Sequence, residues 1–362
     1  MAESYAQQRA KSLQVLTRQV LRELPAVCFD FITAIDSTTQ PLTRYAYVND
    51  LKLFFQFLSS ELPKFSGRTP VDLDVSDLAS VSSRDIYIYM DYLSFYIKND
   101  EEITNDNLGK MRKLASLRSF YKFLYKNSYI DADPAALVDM PKRRAKAIIR
   151  LEIDEVARML DLVESGDQLS ERQKKYNEHI RSRDLAILTL FLGTGIRVSE
   201  LVGINIDDLD FSINGFLVTR KGGSQAILYF PDEVAEVLQD YLKLRREMTP
   251  LAGHEDALFL SLQNKRISVR AVQIMVKKYA SQAAPLKKHL SPHKLRSTFG
   301  TNLYRETGDI YLVADVLGHS DVNTTRRHYA AMTEDRRRLA ASAVHLREEL
   351  APDNDNRVDG GS

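Results

Sequence analysis

Cysteine is almost absent from this sequence, since Cys28 is the only one among 362 residues. A single cysteine cannot form an intramolecular disulfide, and it cannot supply the thiolate cluster of a structural metal site. The low cysteine content favours a reducing compartment and argues against redox chemistry.

Long apolar segments are missing as well. The longest strongly apolar stretch, Leu185 to Leu192, is far shorter than the roughly 20 residues that a bilayer-spanning helix needs, and the first residues contain no apolar signal core. We therefore expect a cytoplasmic protein without a membrane partner. With 44% hydrophobic and 27% charged residues, the composition is that of a folded globular chain.

Acidic residues are missing from one long segment. The formal net charge of the whole chain is only +1, yet Ser261 to Arg305 contains ten basic residues and no acidic one. Positive charge concentrated in this way is typical of a protein that binds a phosphate backbone. A solvated helical face would give the same pattern. The candidate DNA contacts here are Arg270, Lys277 and Lys278.

The first 140 residues show helical periodicity, and we expect no strand among them. Ser83 is the expected N-cap of a helix that continues to Tyr96. The clearest helix is expected from Thr104 to Tyr125. It carries a basic row at i, i+4 and i+8 that could contact DNA or simply face solvent: Arg118, Lys122 and Lys126.

A basic segment that begins with Pro141 follows the helical region and has the composition of a linker. Its candidate phosphate contacts are Lys142, Arg143, Arg144 and Lys146. The sequence thus predicts a helical N-terminal domain at 1–140, a linker at 141–150, a second domain at 151–350 and a disordered tail at 351–362.

The second domain is expected to be mostly helical with one interruption. Asn-Gly at 214–215 and Gly-Gly at 222–223 are strong turn signals. They predict three short strands, around Phe211, from Phe216 to Thr219 and from Ala226 to Phe230. The fold class is therefore mainly α in two domains, with a small three-stranded antiparallel sheet in the second.

Two histidines are expected at helix boundaries. Ser291-Pro292 predicts a helix start that places His293 and Arg296 on the first turn, near backbone amides that favour an anion. Glycines at 308 and 318 predict the ends of this helix and the next one, which leaves His319 at a helix end. Each of these side chains alone is as consistent with a structural role.

Three further residues could act on a phosphate. Arg197 lies just after a glycine break, two residues beyond Gly195 in GTGIRVSEL, and its guanidinium could hold a phosphate or pair with Glu200. Lys221 lies in TRKGG at the expected hairpin tip. Tyr329 lies ten residues after His319, in TTRRHYA on an expected helix at 323–330.

The order of these elements resembles the tyrosine recombinase, or phage integrase, family. The motifs RDLAILTLFLGTGIRVSEL, VTRKGG and PHKLRST are most similar to those of Xer recombinases, with the longer single-recombinase Xer type as one candidate. YVNDLKLFFQFL resembles part of the family's core-binding domain, and 150–345 resembles its catalytic domain.

This resemblance implies a site-specific recombinase that cleaves and rejoins DNA through a 3′-phosphotyrosyl intermediate. Tyr329 would be the nucleophile, and Arg197 and Arg296 would hold the phosphate oxygens. Lys221 would protonate the leaving 5′ oxygen. His293 and His319 would assist, and Glu200 would support its neighbours. Since these cations can stabilise the developing charge, no metal, ATP or cofactor is expected; the chain has no GxxxxGK[ST] loop.

The implied partner is double-stranded DNA with paired inverted half-sites, bound by a dimer at each site and by a tetramer in the synapse. An expected helix at 334–350 would contact the neighbouring subunit. Accessory DNA-bending or DNA-translocase proteins are further candidates, and chromosome dimer resolution and mobile-element integration both stay open. The alternative functions are a type IB topoisomerase and an inactive DNA-binding regulator.

Overall fold

The computed structural model describes residues 5–142, 149–166, 177–220, 223–319, 321, 322 and 325. The chain divides into two units, Met1–Ala147 and Ile148–Ser362, and the division falls inside the segment predicted to be a linker. The expected fold class, mainly helical with a small three-stranded antiparallel sheet, is confirmed. The helices predicted at 323–330 and 334–350, and the tail at 351–362, lie outside the described residues.

Within the described residues, the first unit consists of helices and one short, mostly exposed hairpin. Its helices are α1 (Tyr5–Leu21), α2 (Val27–Ala34), α3 (Pro41–Glu61), α4 (Val75–Ser80), α5 (Ser83–Tyr92) and α6 (Asn107–Lys126). The strands β1 (Phe95–Lys98) and β2 (Glu101–Thr104) pair antiparallel between α5 and α6.

Aromatic side chains fill the core of the first unit. Phe54 on α3 meets Tyr89 on α5 and Tyr121 on α6 edge to face, at ring-centroid distances of 5.1 and 6.4 Å. The same stretch of α3 carries Asp50, which is buried and receives both Nη groups of Arg112 on α6. Asp50 thus ties α3 to α6, while its apolar neighbours Val48 and Leu51 are buried in the core.

The expectation that no strand occurs in the first 140 residues is wrong. Asn99 and Asp100 form the turn between β1 and β2, with φ values of 52° and 61°, the positive φ that a two-residue type I′ turn requires at both central positions. Helix α5 consequently ends at Tyr92, not at Tyr96, and its N-cap is Ser82, not Ser83. Helix α6 begins only at Asn107, because Thr104 belongs to β2.

The second unit packs further helices around a central one. They are α7 (Ile153–Ser165), α8 (Asn177–Thr194), α9 (Val198–Leu201), α10 (Asp232–Glu247), α11 (Val269–Ala283), α12 (Pro292–Thr307) and α13 (Ile310–Val316). Helix α8 contacts α7, α10 and α12. The long apolar stretch at 185–192 is therefore a core helix. None of the helices in the described ranges is long and apolar enough to cross a bilayer.

The sheet of the second unit contains β3 (Leu209–Asp210), β4 (Gly215–Thr219) and β5 (Gln225–Tyr229), in the order β3-β4-β5. The last two strands lie within one residue of their predicted positions. The first was predicted around Phe211, which instead lies in the turn before β4. Its ring packs against Phe230 at a centroid distance of 5.9 Å, so a core contact, not strand pairing, explains this apolar residue.

Candidate active site

The segment that carries Arg197 is a tight connection between two helices. Helix α8 ends at Thr194, and Gly195 follows with a φ of 62°, a conformation that glycine adopts without strain. A Cβ at this position would also overlap the Phe299 ring. Arg197 then serves as the N-cap of α9, so the glycine break directs Arg197 toward the end of α13, where its side chain donates to the carbonyl of Gly318.

Glu200 fixes Arg197 through two contacts. Its Oε2 accepts the backbone N–H of Arg197 at 3.0 Å, and its Oε1 accepts Nη1 of the same residue at 2.7 Å. The carboxylate is almost fully buried, whereas the Arg197 side chain is 31% exposed. The ion pair that the sequence offered as the structural alternative is therefore present, and it leaves part of the guanidinium facing solvent.

Arg296 lies deeper in the same region. Helix α12 begins at Pro292 after the N-cap Ser291, as predicted, and ends at Gly308 with a φ of 71°. Arg296 is buried on its first turns and donates Nη1 to the carbonyl of Gly195 at 2.6 Å. His293, one turn earlier, is exposed. The two residues of the HxxR pair thus have different surroundings.

The Gly318-His319 pair ends α13 in a hydrogen-bond pattern known as the Schellman motif. The N–H of Gly318 donates to the carbonyl of Asp315 at 2.8 Å, and that of His319 donates to Ala314 at 2.9 Å. Gly318 has the left-handed φ of 58° that this motif demands. The glycine therefore sets the backbone position of His319.

The carbonyls of three successive residues at this helix end accept arginine side chains. Arg220 Nη2 donates to Val316 at 3.3 Å, Arg296 Nη2 donates to Leu317, and Arg197 Nη2 donates to Gly318 at 2.7 Å. Such terminal carbonyls have no partner inside a helix and attract cations. The turn after α13 thus brings Arg197 and Arg296 together next to His319.

Arg220 is a residue that sequence reasoning missed. It lies directly before Lys221 in TRKGG, and that adjacency was the only signal available from the sequence. His319 has a buried partner, because its Nδ1 lies 2.7 Å from Oγ1 of Thr325. The predicted residues Lys221 and Tyr329 lie outside the described part of the chain.

The basic row on α6 divides into two kinds of residue. Arg118 is half-buried and donates Nε to the carbonyl of Ala135 at 3.1 Å and Nη2 to that of Val138. Lys122 and Lys126 are exposed. Arg118 therefore holds the segment after α6 in place, and only the two lysines have the exposure expected of phosphate contacts. Lys142 is also exposed, while Arg143, Arg144 and Lys146 lie outside the described residues.

The basic residues of the 261–305 segment also differ in their surroundings. On α11, Arg270 and Lys277 are exposed on either side of Ile274, which is itself 56% exposed. Lys278 is half-buried, its Nζ lies 5.0 Å from the centre of the Tyr279 ring, and burial lowers the pKa of its ammonium group. Arg270 and Lys277 are therefore the more accessible pair.

Other cations in this segment have structural partners. Arg266 donates to the carbonyls of Val202 and Ile204 at 3.1 and 2.9 Å. Lys287 forms an ion pair with Glu155 on α7. The one-sided charge of the sequence thus overstates how much positive surface the segment presents.

Residues 150–336 match the model of the phage integrase family. The chain belongs to the phage integrase family. It is 38% identical over 296 residues to the tyrosine recombinase XerC of Caldanaerobacter subterraneus subsp. tengcongensis, which covers 79% of this chain and 77% of the relative. It is 33% identical over 330 residues to the tyrosine recombinase XerC of Chlorobaculum tepidum, over 88% of this chain and 94% of the relative.

Solved structures of the family share the fold. The XerH site-specific recombinase, bound to a palindromic difH substrate in a post-cleavage complex, aligns with a TM-score of 0.61 and 20% identity, over 84% of this chain and 80% of that one. The expectation of a Xer-like tyrosine recombinase, and with it the enzyme class, is confirmed by the family match and the XerC relatives. In the described ranges, no group of three or more histidine, cysteine or acidic side chains is arranged to hold a metal ion.

Proposed function

We propose that this member of the phage integrase family is a site-specific DNA recombinase that uses Tyr329 to cleave and rejoin DNA strands. The observation that carries the proposal is the convergence of Arg197 and Arg296 on the carbonyls of Gly318 and Leu317, beside His319. A phosphodiester that gains charge during attack needs such fixed cations, and losing one donor of this kind typically slows a reaction by about 10²- to 10³-fold.

The roles of the other site residues follow from the same chemistry. A phenol with an ordinary pKa of about 10 is a poor nucleophile at neutral pH, so it needs nearby cations and a base. His293 serves as that base or as a hydrogen-bond partner, and His319 binds a phosphate oxygen. Lys221 protonates the 5′ oxygen as it leaves. The phosphotyrosyl bond keeps the energy of the broken bond, so rejoining needs no ATP.

The proposed substrate is double-stranded DNA with paired inverted half-sites. Residues 1–140 would form the DNA-binding domain and 151–350 the catalytic domain, joined at 141–150. A dimer on each site and a tetramer at the synapse follow from the chemistry, because two duplexes exchanging strands require four cleavages. We also propose that accessory DNA-bending or DNA-translocase proteins assist the reaction, and that the protein acts on DNA in the cytoplasm.

The two alternative functions are not favoured. A type IB topoisomerase would use the same intermediate, but the relatives described above are recombinases. An inactive regulator is disfavoured because the chain retains the full motif set: Arg197, Lys221, His293, Arg296, His319 and Tyr329. If the protein relaxed an arbitrary supercoiled plasmid without joining two sites, it would be a topoisomerase and not a recombinase.

The experiment that tests the proposal traps the covalent intermediate. Purified protein is incubated with sheared genomic DNA from the source organism, denatured with detergent, and the protein-linked DNA is sequenced. We expect wild type to yield one recurring inverted-repeat site, and Tyr329→Phe to bind DNA without forming an adduct. Tyr311→Phe, at an exposed tyrosine of α13, is the matched control and should form the adduct. An adduct that survives in Tyr329→Phe would refute the assignment.

A further inference from the structure

We propose that Arg220 is a positioning residue that fixes the connection between β4 and β5 against the end of α13, and through it the next residue in sequence, Lys221. This inference rests on the proposed function, in which Lys221 is the acid for the leaving 5′ oxygen. Three observations support it: the backbone hydrogen bonds of Arg220, the contacts of its side chain, and the close packing of that side chain against Gly318.

The backbone of Arg220 closes the turn between β4 and β5. Its N–H donates to the carbonyl of Ser224 at 2.7 Å, and its carbonyl accepts the N–H of Gly223 at 3.1 Å. The last strand pair, Thr219 with Gln225, directly precedes this closure. Arg220 is thus the last residue tied to the sheet before the chain reaches Lys221.

The side chain of Arg220 reaches a distant part of the chain. Its Nη2 donates to the carbonyl of Val316, which is 96 residues away in sequence, at 3.3 Å. Its guanidinium also lies against the backbone of Gly318, where a Cβ would overlap Nη1, Cζ and Nε. Position 318 therefore requires glycine for two reasons: its φ is positive, and the Arg220 guanidinium occupies the space that a Cβ would need.

These contacts join two parts of the site. Arg220 is held by the sheet at its backbone and by the end of α13 at its side chain, so the base of the hairpin keeps a fixed distance from His319. Functional groups must be held within about 0.5 Å of their productive position to act well. A planar guanidinium can pack on the glycine backbone and donate at the same time, whereas a lysine ammonium on a flexible stem cannot do both.

This arrangement serves the cleavage step of the proposed reaction. The Tyr329 oxygen forms a bond to phosphorus while its proton passes to His293 or to water. The bond between phosphorus and the 5′ oxygen breaks, and its electron pair goes to that oxygen. The ammonium of Lys221 supplies the proton that makes the leaving group a neutral hydroxyl. Arg220 touches no reacting atom and acts only through the position of Lys221.

The test uses a leaving group that needs no acid. A duplex carrying the trapped site is prepared with either oxygen or sulfur at the bridging 5′ position. A thiol, with an ordinary pKa of about 8.5, leaves as a thiolate without protonation, unlike an alcohol. Single-turnover adduct formation is then measured on both duplexes for wild type, Arg220→Ala, Arg220→Lys, Lys221→Ala and Arg197→Ala.

We expect Arg220→Ala to cleave the oxygen duplex about 10²-fold more slowly than wild type and the sulfur duplex within about threefold of it. Lys221→Ala should show the same rescue, and Arg220→Lys should fall between Arg220→Ala and wild type on oxygen. Arg197→Ala should be slow on both duplexes, because it acts on the non-bridging oxygens.

Equal slowing of Arg220→Ala on both duplexes, or no slowing on either, would overturn the inference while leaving the proposed function intact. If Lys221→Ala is not rescued by sulfur, the acid assignment and this inference both fail, although the Tyr329 adduct test still stands. Should Arg220→Ala not fold, Arg220→Lys decides the question by the same comparison of oxygen and sulfur.

Discussion

Arg197 and Arg296 donate to the carbonyl oxygens of adjacent residues, Gly318 and Leu317, although they come from different helices. Their relative position is thus set by one short backbone turn. Arg296 also reaches back to the carbonyl of Gly195, two residues before Arg197. Because peptide carbonyls do not titrate, these three contacts do not depend on the protonation state of their acceptors.

Glu200→Gln should weaken the site without weakening DNA binding. An amide has only one oxygen, so either the backbone N–H or the guanidinium of Arg197 would face an NH₂ group. Leaving a buried donor unsatisfied costs about 1 to 3 kcal/mol. We expect adduct formation to slow by about tenfold or more, with affinity for DNA within about twofold of wild type.

Single-turnover trapping and gel shifts on the same duplex measure these two effects. Glu236→Gln, at an exposed position of α10, is the control for the loss of a carboxylate and should change neither. Unchanged cleavage in Glu200→Gln would show that the ion pair does not position Arg197 for the reaction.

Gly195→Ala should destabilise the second unit much more than Gly253→Ala. Both glycines have a positive φ, 62° and 83°, so both substitutions introduce backbone strain of about 1 to 2 kcal/mol. A Cβ at Gly253 meets nothing within 4 Å, whereas at Gly195 it would overlap Phe299 and come within 2.9 Å of Leu317. Overpacking of this kind adds about 1 to 3 kcal/mol. Urea unfolding of both variants measures the difference, and equal losses would contradict the steric explanation.

Arg118→Ala should lower the stability of the protein, whereas Lys122→Ala should affect only its binding to DNA. Removing Arg118 leaves the carbonyls of Ala135 and Val138 without their charged donor. We therefore expect the free energy of unfolding to fall by about 1.5 to 3 kcal/mol. Removing the exposed Lys122 should change stability by less than about 0.5 kcal/mol. If Lys122 contacts a phosphate, the slope of log affinity against log salt falls by about 0.9.

Thermal unfolding and gel shifts over a salt series separate the two outcomes. A reduced salt slope in Arg118→Ala at unchanged stability would show that this arginine binds DNA after all, as the sequence pattern allowed.

Cys28 should be unreactive in the folded protein. Its side chain is fully buried, and burial, with a smaller contribution from the nearby Asp30 carboxylate, raises the pKa of its thiol. Because the thiolate is the reactive form, alkylation at pH 8 should be at least about 100-fold slower than in guanidinium. Mass spectrometry gives a clean reading, since the chain has no other cysteine. Fast labelling of the native protein would show that the core of the first unit opens readily.

Local signals in the sequence predicted the helix ends of the second unit well. Pro292 and Gly308 bound α12 as expected, and Asp309 caps α13 by accepting the N–H groups of Tyr311 and Leu312. Gly195 and Gly318 both adopt the positive φ that a helix stop requires. Each of these features depends on a few neighbouring residues, and such short-range chemistry can be read from a sequence.

Features that depend on distant contacts were missed or left open. Nothing near Arg118 in the sequence indicates that it binds carbonyls 17 and 20 residues away, and nothing near Arg220 indicates Val316. The hairpin of β1 and β2 was missed because its strands have only four residues each, and its turn uses Asn-Asp, not a glycine. Charge patterns show which residues are basic, but only the fold shows which of them face solvent.

The end of α13 connects three arginines of the candidate site to one short helix. This helix has only seven residues, and the carbonyls of Val316, Leu317 and Gly318 each accept an arginine from a different element. If α13 detached locally, all three guanidinium groups would lose a contact at once, although Arg197 would keep Glu200 and Arg296 would keep the Gly195 carbonyl. Local unfolding of this kind is common for short elements at functional sites. The local stability of α13 therefore sets how precisely all three arginines are held at the same time.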